Sequence, residues 1–238
     1  MLAEADLSTV AELISGHRAG ILLALLGGSA LSAGELARRA GISPSLASSH
    51  LSRLLDGRLI AVEQHGRRRE YRVASPQVAE ALEAMLRIAP MRSATGLRES
   101  TRGQALRRAR TCYDHLAGEV GVAITDSLQH QGVLQGSDDA YELTQAGEQR
   151  LLKLGLDIEA LRAKHRAFAR PCLDWTERRP HLAGSLGAAI AQHALQQDWL
   201  TRVPGTRAVR VTEIGALELR RAFGLNVRRP DGSADHLQ

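Results

Sequence analysis

Helix-starting and helix-ending residues divide residues 32–57 into two short helices, and this pattern constrains the fold more than any other feature of the chain. Ser32-Ala-Gly-Glu35 is a capping box, in which a serine and a glutamate three residues later satisfy free backbone N–H groups at a helix start. Gly41 then predicts a tight helix exit, because glycine tolerates positive φ. Ser43-Pro44 begins a second helix, which Gly57 ends.

A β-hairpin with a basic tip is predicted to follow this pair of helices. The runs Leu59–Val62 and Glu70–Val73 are rich in β-forming residues, and a polar turn that contains glycine separates them. Ser75-Pro76 caps a further helix over Pro76–Ile88, and residues 9–26 before the pair have helical spacing. Together these elements predict a winged helix-turn-helix in the first ninety residues.

The second short helix has the small polar side chains that a DNA-reading helix needs. A helix that enters the major groove, about 12 Å wide, presents such side chains to base edges, while a basic hairpin lies along the phosphates. A solvated polar face beside a charged loop is the alternative interpretation. We predict double-stranded DNA as a partner. The predicted contact residues are Ser43, Ser45, Ser48, Ser49, His50, Arg53, Arg67, Arg68, Arg69 and Arg72.

The charge of the chain is basic and is carried almost entirely by arginine. There are 31 basic and 26 acidic residues, the pI is about 9.8, and Lys153 and Lys164 are the only lysines. Arginine binds phosphate bidentately, so this bias favours a nucleic-acid partner. A GC-rich genome that favours arginine codons would give the same composition, and composition alone does not separate the two explanations.

The helix pair also resembles the ArsR-type bacterial transcriptional regulators. The family pattern of Gly-Leu-Ser, a serine-rich helix with His-Leu, a Leu and Gly-Leu-Val is matched by Gly41-Ile-Ser43, Ser49-His-Leu51, Leu54 and Gly57-Arg-Leu-Ile60. The resemblance covers about residues 8–89. It implies a homodimer that is joined by terminal helices, reads a near-palindromic operator and usually represses until an effector arrives.

Dimerisation also agrees with the residues themselves. A recognition helix with few long side chains specifies little sequence, and a dimer doubles the site across about 34 Å. An apolar stripe on Pro76–Ile88 suits a dimer face, and packing within the subunit is the alternative. The stripe is formed by Val78, Leu82, Met85 and Leu86.

The metal sites that the resemblance implies are missing from the first ninety residues. Metal-sensing members have a cysteine pair in the first helix of the helix-turn-helix, where this chain has Ala33-Gly-Glu-Leu36. Others use acidic and histidine ligands on the terminal dimer helix, but Pro76–Ile88 has no histidine. Any sensing function is therefore expected in the second half of the chain.

The second half contains an internal repeat. His115–Ile124 matches His181–Ile190 at an offset of 66 residues (181 − 115), and Tyr141–Gly147 resembles Val209–Gly215. Each copy is predicted to form a helix, a two-stranded hairpin and a second helix that begins at a threonine cap. We expect a duplicated half-domain about a pseudo-twofold axis, with repeats at about residues 112–156 and 172–225.

The fold class expected from these patterns is mainly α with short β-hairpins (α+β). Residues 1–92 are predicted to be a winged helix-turn-helix DNA-binding and dimerisation domain. Residues 93–238 are predicted to be a duplicated helix–hairpin–helix effector domain. No apolar run approaches the ~20 residues that span a bilayer, and the N-terminus has acidic residues where a signal peptide is basic. We therefore expect a cytoplasmic protein without a membrane partner.

Both cysteines of the chain lie near the starts of the two repeats, each close to a histidine. Cys112 and His115 are three residues apart and would share one face if their segment is helical, while Cys172 precedes His181 by nine residues (181 − 172). Folding the repeats about a pseudo-twofold axis would bring these four residues together as a Cys₂His₂ set for a divalent metal ion. They are our candidate metal ligands.

Other interpretations of this region remain open. The cysteines alternatively pack as small apolar residues or form a redox-active thiol. The region also has the composition of a small polar pocket for an organic effector, where Trp175 would form a wall or instead anchor the repeats. The candidate effector-binding residues are Cys112, Tyr113, His115, Cys172, Asp174, Trp175 and His181.

The sequence favours a regulator over an enzyme. A Cys112–His115 thiolate pair is the one feature that suggests catalysis, and the chain has no Gly-rich phosphate loop, Gly-x-Ser-x-Gly elbow or His-Glu-x-x-His motif. We expect a homodimeric repressor released by a metal ion, a thiol-reactive species or a small organic effector. The alternative is a DNA-binding or partner-binding protein that responds to no ligand.

Overall fold

The computed structural model describes residues 7–27, 30–66, 68–90, 97–136 and 140–227. The chain divides into two compact units, residues 1–85 and 86–238. No helix in the described part combines the length and hydrophobicity needed to cross a bilayer.

The first unit is a helical assembly with one small antiparallel sheet. The strand order in the sheet is β1 (Leu31–Ser32), β3 (Arg68–Val73), β2 (Ile60–His65), with Ile60 opposite Val73 and Leu31 opposite Tyr71. The strand β1 has only two residues, too few for a sequence signal, and was not predicted. The elements are α1 (Leu7–Leu13), α2 (Gly16–Leu25), β1 (Leu31–Ser32), α3 (Ala33–Ala40), α4 (Pro44–Asp56), β2 (Ile60–His65), β3 (Arg68–Val73) and α5 (Pro76–Ile88).

The predicted caps form the ends of α3 and α4. The Ser32 hydroxyl accepts a hydrogen bond from the Glu35 backbone N–H, and the Ser32 backbone N–H donates to the Glu35 carboxylate at 3.1 Å. Gly41 ends α3 at φ 68°, and the Ser43 hydroxyl caps α4 by accepting from the Leu46 N–H. These contacts confirm the predicted helix pair.

An aliphatic core holds the elements of the first unit together. It is formed by the inward faces of α2, α3 and α4 and by residues of the sheet, in a chain of which only 3% of the residues are aromatic. The buried residues include Ile21, Leu22, Leu25, Leu36, Leu51, Leu54, Ile60, Tyr71 and Val73.

The second unit contains two successive runs of hairpin, helix, hairpin and helix. Each hairpin is a separate two-stranded antiparallel sheet. The elements are α6 (Leu97–Arg108), β4 (Arg110–Cys112), β5 (His115–Ala117), α7 (Gly118–His130), β6 (Leu134–Gly136), β7 (Tyr141–Leu143), α8 (Gln145–Lys153), α9 (Ile158–Arg162), β8 (Arg170–Leu173), β9 (Pro180–Ala183), α10 (Gly184–Gln196), β10 (Leu200–Arg202), β11 (Val209–Val211) and α11 (Glu213–Phe223).

The predicted threonine caps are confirmed, and the segment around the first cysteine is a hairpin rather than a helix. Thr144 and Thr212 cap α8 and α11 through their hydroxyls. Cys112 and His115 would share a face if their segment were helical, but they lie on β4 and β5 and face each other across a hairpin. Each run thus begins with a hairpin, β4–β5 or β8–β9, before its first helix. The two strands of each hairpin satisfy backbone hydrogen bonds by pairing with each other.

The hairpins of the second unit are brought together by crossed packing. Helix α7, which follows β5 in sequence, packs against β9, and α10, which follows β9, packs against β5. Gly187 lies where α10 meets both hairpins, since a Cβ there would stand 2.2 Å from the Leu182 carbonyl oxygen of β9 and 3.4 Å from the Cβ of His115 on β5. The core of this unit includes Leu116, Ile124, Leu128, Leu134, Leu182, Leu186, Ile190, Trp199, Leu219 and Phe223.

Candidate functional site

The candidate DNA-contacting helix α4 presents a serine face to solvent. Ser45, Ser49 and Arg53 are exposed, whereas Ala47, Leu51 and Leu54 on the opposite side are buried. Ser43 and Ser48 are also exposed, but each hydroxyl has a partner within the helix. Ser43 caps the N-terminus, and Ser48 Oγ donates to the Pro44 carbonyl at 3.0 Å.

His50 differs from these serines because it faces α2. Its ring centroid lies 5.9 Å from that of His17, and its two ring nitrogens are buried without a hydrogen-bond partner among the residues that the structure describes. Burial lowers the pKa of His50, and the charge of Arg18 lowers it further. Both causes favour the neutral form of the ring, whose two nitrogens are buried within the unit.

The basic hairpin formed by β2 and β3 is the wing of the predicted motif. Arg68 and Arg69 are exposed near its tip, and Arg67 lies outside the described residues. Arg72 is also exposed, but its Nε donates to Glu63 Oε1 at 2.6 Å and its Nη1 donates to backbone carbonyls. Among the wing arginines that the structure describes, Arg68 and Arg69 are thus exposed near the tip, whereas Arg72 is engaged within the hairpin.

In the second unit, the four predicted metal-ligand candidates form one buried cluster. The ligand atoms of Cys112, His115, Cys172 and His181 all lie within 4.8 Å of one another. The sulfur atoms of the free cysteines are 3.9 Å apart, and the two Nε2 atoms of the histidines are 3.2 Å apart. We refer to these four residues as the Cys₂His₂ cluster.

Strand register accounts for the convergence. Cys112 is directly opposite His115 on β4–β5, and Cys172 is directly opposite His181 on β8–β9. Each hairpin thus supplies one thiol and one imidazole, because side chains of directly opposed residues project to the same face of a sheet. The crossed packing of α7 and α10 then places the two pairs against each other.

A carboxylate lies beside each imidazole on the side away from the cluster. Asp114 Oδ1 is 3.2 Å from His115 Nδ1, within hydrogen-bond distance. Asp174 Oδ2 is 3.4 Å from His181 Nδ1, but these two atoms are not aligned for a hydrogen bond. Each carboxylate in turn pairs with an arginine. Arg166 contacts Asp114, and Arg110 donates to Asp174 at 2.9 Å.

The charges around the cluster shift the pKa values of its members. Burial alone would raise the pKa of Asp174, but His181, the Arg110 charge and further hydrogen bonds hold it well below its usual range. A hydrogen bond from Cys112 is the main cause that lowers the pKa of Cys172. Burial alone would lower the pKa of His115, but its bonds to Asp114 and Cys172 raise it. The surroundings therefore favour a Cys172 thiolate.

Tyr113 and Trp175 lie beside the cluster. Tyr113 occupies the turn between β4 and β5 at φ 59°, a left-handed conformation that side chains seldom adopt. The Trp175 ring packs under the guanidinium of Arg110, whose Cζ lies 4.4 Å from the ring centroid. Trp175 therefore packs against the buried Arg110 cation. The interpretation of Trp175 as a wall of an effector pocket stays a prediction.

Two arginines beside the cluster were not predicted as site residues. Arg110 and Arg166 balance the carboxylates of Asp174 and Asp114, of which Asp114 also faces His115. A sequence signal existed for Arg110, because it precedes Cys112 by two residues just as Arg170 precedes Cys172. Arg166 has no such signal, since only the fold brings it to Asp114.

Comparison with known proteins identifies similar chains. A family model described as a helix-turn-helix domain matches residues 13–63. The HTH-type transcriptional regulator YdfF of Bacillus subtilis strain 168 is 44% identical over 223 residues, which cover 93% of this chain and 99% of that protein.

Two solved structures resemble about a third of the chain. Reduced HlyU from Vibrio cholerae is 27% identical, with 36% of this chain and 90% of that chain covered and a TM-score of 0.32. The homodimeric winged helix-turn-helix DNA-binding domain Mb0332 from Mycobacterium bovis is 28% identical. The match covers 37% of this chain and 88% of that chain, with a TM-score of 0.30.

Proposed function

The chain belongs to the HTH-type transcriptional regulators, and from this premise we propose that it is an ArsR-type homodimeric cytoplasmic repressor released from its operator by an effector bound in the second unit. The protein is a DNA-binding regulator by family, and we propose no catalytic role for it. Residues 1–92 would bind DNA and dimerise, and residues 93–238 would receive the effector.

The exposed serine face of α4 is the observation that carries the DNA-binding proposal. A helix capped at Ser43 and packed through Leu51 and Leu54 is held rigidly with its polar side outward. Ser45, Ser49 and Arg53 would read base edges in the major groove. Arg68 and Arg69 on the wing would contact phosphates, which position the protein without specifying sequence.

The dimer proposal is supported by apolar groups that stay accessible on α5. Val78 and Met85 are only partly buried, and Ile88 is 85% exposed. Leu82, in contrast, is buried within the chain, so it serves packing in the subunit. A second copy packed on α5 would cover these groups and place two recognition helices on successive half-sites.

The second unit supports a duplicated effector domain. Its two runs have the same order of elements, and each run contains a threonine-capped last helix and one Cys–His hairpin. The crossed packing of α7 and α10 is the arrangement expected for two copies about a pseudo-twofold axis. The Cys₂His₂ cluster lies where the copies meet, which favours this cluster as the effector site.

The DNA-binding proposal is tested with the full-length protein and duplex DNA from the region upstream of its own gene. Light scattering should give twice the 25.7-kDa mass of the chain. Binding by fluorescence anisotropy should be specific for that DNA over a scrambled duplex, and the Ser49→Ala variant should lose part of this preference. Arg210→Ala, which removes an exposed arginine of the second unit, is the control. A monomer, or equal affinity for both duplexes, would overturn the proposal.

A further inference from the structure

We propose that the Cys₂His₂ cluster binds one zinc-class divalent ion in tetrahedral geometry, and that this ion is the effector of the proposed repressor. The effector role rests on the proposed function, whereas the binding site rests on the cluster alone. The ligands are Sγ of Cys112 and Cys172 and Nε2 of His115 and His181.

The sulfur–sulfur and nitrogen–nitrogen distances in the cluster match two edges of a metal-centred tetrahedron. With Zn–S of about 2.3 Å and Zn–N of about 2.0–2.1 Å, a tetrahedral site has S···S near about 3.8 Å and N···N near about 3.3 Å. The Cys112–Cys172 sulfur distance is 3.9 Å, and the His115–His181 Nε2 distance is 3.2 Å. These two of the six edges fit a central ion, and the sulfur–nitrogen separations, which lie within 4.8 Å, would adjust to about 3.6 Å as the ion binds.

The orientation of the imidazoles is a second, independent observation. Asp114 Oδ1 lies within hydrogen-bond distance of His115 Nδ1, and Asp174 Oδ2 lies 3.4 Å from His181 Nδ1 without hydrogen-bond alignment. With a carboxylate on the Nδ1 side of each ring, the two Nε2 atoms face each other across 3.2 Å, where a cation between them would find two nitrogen ligands. Metal-bound histidines in proteins characteristically have such a carboxylate behind them.

Charge and ligand type identify the class of ion. Two thiolates balance a divalent cation, and the neighbouring carboxylates are already paired with Arg166 and Arg110. Sulfur and imidazole ligands select zinc over magnesium and calcium, which bind oxygen. All four ligands are buried and supplied by the protein, so the site is closed, as in zinc sites without an open position for substrate.

The binding test uses full-length protein purified under reducing conditions and loaded with zinc or with cobalt(II) as a spectroscopic probe. We expect one ion per chain and intense near-ultraviolet and visible absorption from thiolate-bound tetrahedral cobalt. Cys112→Ser and His181→Gln should each abolish the cobalt absorption, while His165→Ala, an exposed histidine outside the cluster, should keep it. Circular dichroism reports whether each variant folds.

If a cluster variant fails to fold, alkylation of the wild-type thiols decides instead. Bound zinc should slow the alkylation of Cys112 and Cys172 at least tenfold, and chelation should restore it. Wild-type protein that takes up no ion, or thiols that react equally with and without zinc, would overturn the site.

The effector role is tested by DNA affinity with zinc and after chelation. We expect zinc to weaken operator binding about 5- to 150-fold in wild type and not at all in Cys112→Ser. Zinc uptake with unchanged DNA affinity would overturn the effector role. If the protein takes up zinc but binds no DNA, the proposed function is overturned and the metal site is retained. If the protein binds its DNA but takes up no zinc, the metal site is overturned and the proposed function is retained.

Discussion

Arg110 and Asp174 form an ion pair at 2.9 Å in which neither side chain is exposed to solvent, although 64 residues separate them. Asp174 also accepts hydrogen bonds from the Gly118 N–H and from the backbone and hydroxyl of Thr176. This carboxylate therefore ties β4, the start of α7 and the β8–β9 turn together, next to the ring of His181.

Replacement of Asp174 by asparagine should strongly destabilise the second unit. The substitution leaves the buried Arg110 guanidinium without its counter-charge, which costs about 3–5 kcal/mol in comparable sites. The free energy of unfolding in urea measures this destabilisation. Asp126→Asn is the matched control, because its pair with Arg179 is solvent-exposed and should contribute less than about 1 kcal/mol. Equal destabilisation of the two variants would contradict this account.

Replacement of Gly187 by alanine should disturb the cluster from the helix behind it. The new Cβ would stand 2.2 Å from the Leu182 carbonyl oxygen and 3.4 Å from the Cβ of His115. Since the backbone must shift, we expect the unfolding free energy to fall by about 1–3 kcal/mol, together with weaker zinc binding.

Gly103→Ala is the control for this substitution. Gly103 lies in α6 with open space around it, so alanine should stabilise the helix by about 0.5–1 kcal/mol. Calorimetry on both variants makes the comparison. A stable Gly187→Ala protein with unchanged zinc affinity would show that the close approach of α10 is not required.

The wing arginines should differ in their contributions to DNA binding. Arg68 and Arg69 are exposed, whereas Arg72 is held by Glu63. Removal of one arginine–phosphate interaction reduces the slope of log affinity against log salt by about one. We expect Arg68→Ala and Arg69→Ala to weaken binding to all duplexes alike and to lower this slope, and Arg72→Ala to lower it less. Anisotropy titrations across a salt series measure the slopes, and a larger effect at Arg72 would refute the assignment.

The capping box should make the stability of α3 dependent on pH. The backbone N–H and the hydroxyl of Ser32, with help from Arg39 and Arg38, lower the pKa of Glu35. A lowered carboxyl pKa contributes stability above the unfolded value of about 4.3, and this contribution is lost as the pH falls through the folded value. The stability difference between wild type and Glu35→Gln should therefore shrink on acidification below about pH 4. Thermal melts at several pH values measure it, and a difference that grows in acid would disprove the prediction.

The sequence contains enough information to determine the local structure of the first unit. The start of α3 at Ser32, its end at Gly41 and the start of α4 at Ser43-Pro44 depend on contacts between residues three or four positions apart. Such contacts form wherever these residues occur in this order, so pattern analysis finds them. The two-residue strand β1 was missed because its pairing with Glu70 and Tyr71 is long-range.

The second unit shows what only the tertiary structure decided. The sequence identified Cys112, His115, Cys172 and His181 as candidates, but it suggested a helix where the chain forms a hairpin. Three-residue strands have no hydrophobic period to detect, and their pairing is stabilised by helices packed from the other run. The cluster joins residues 60 or more positions apart, as does the Arg110–Asp174 pair. The sequence is sufficient to name the candidate ligands and the helix caps. The meeting of the four ligands in one buried cluster depends on how the whole second unit packs.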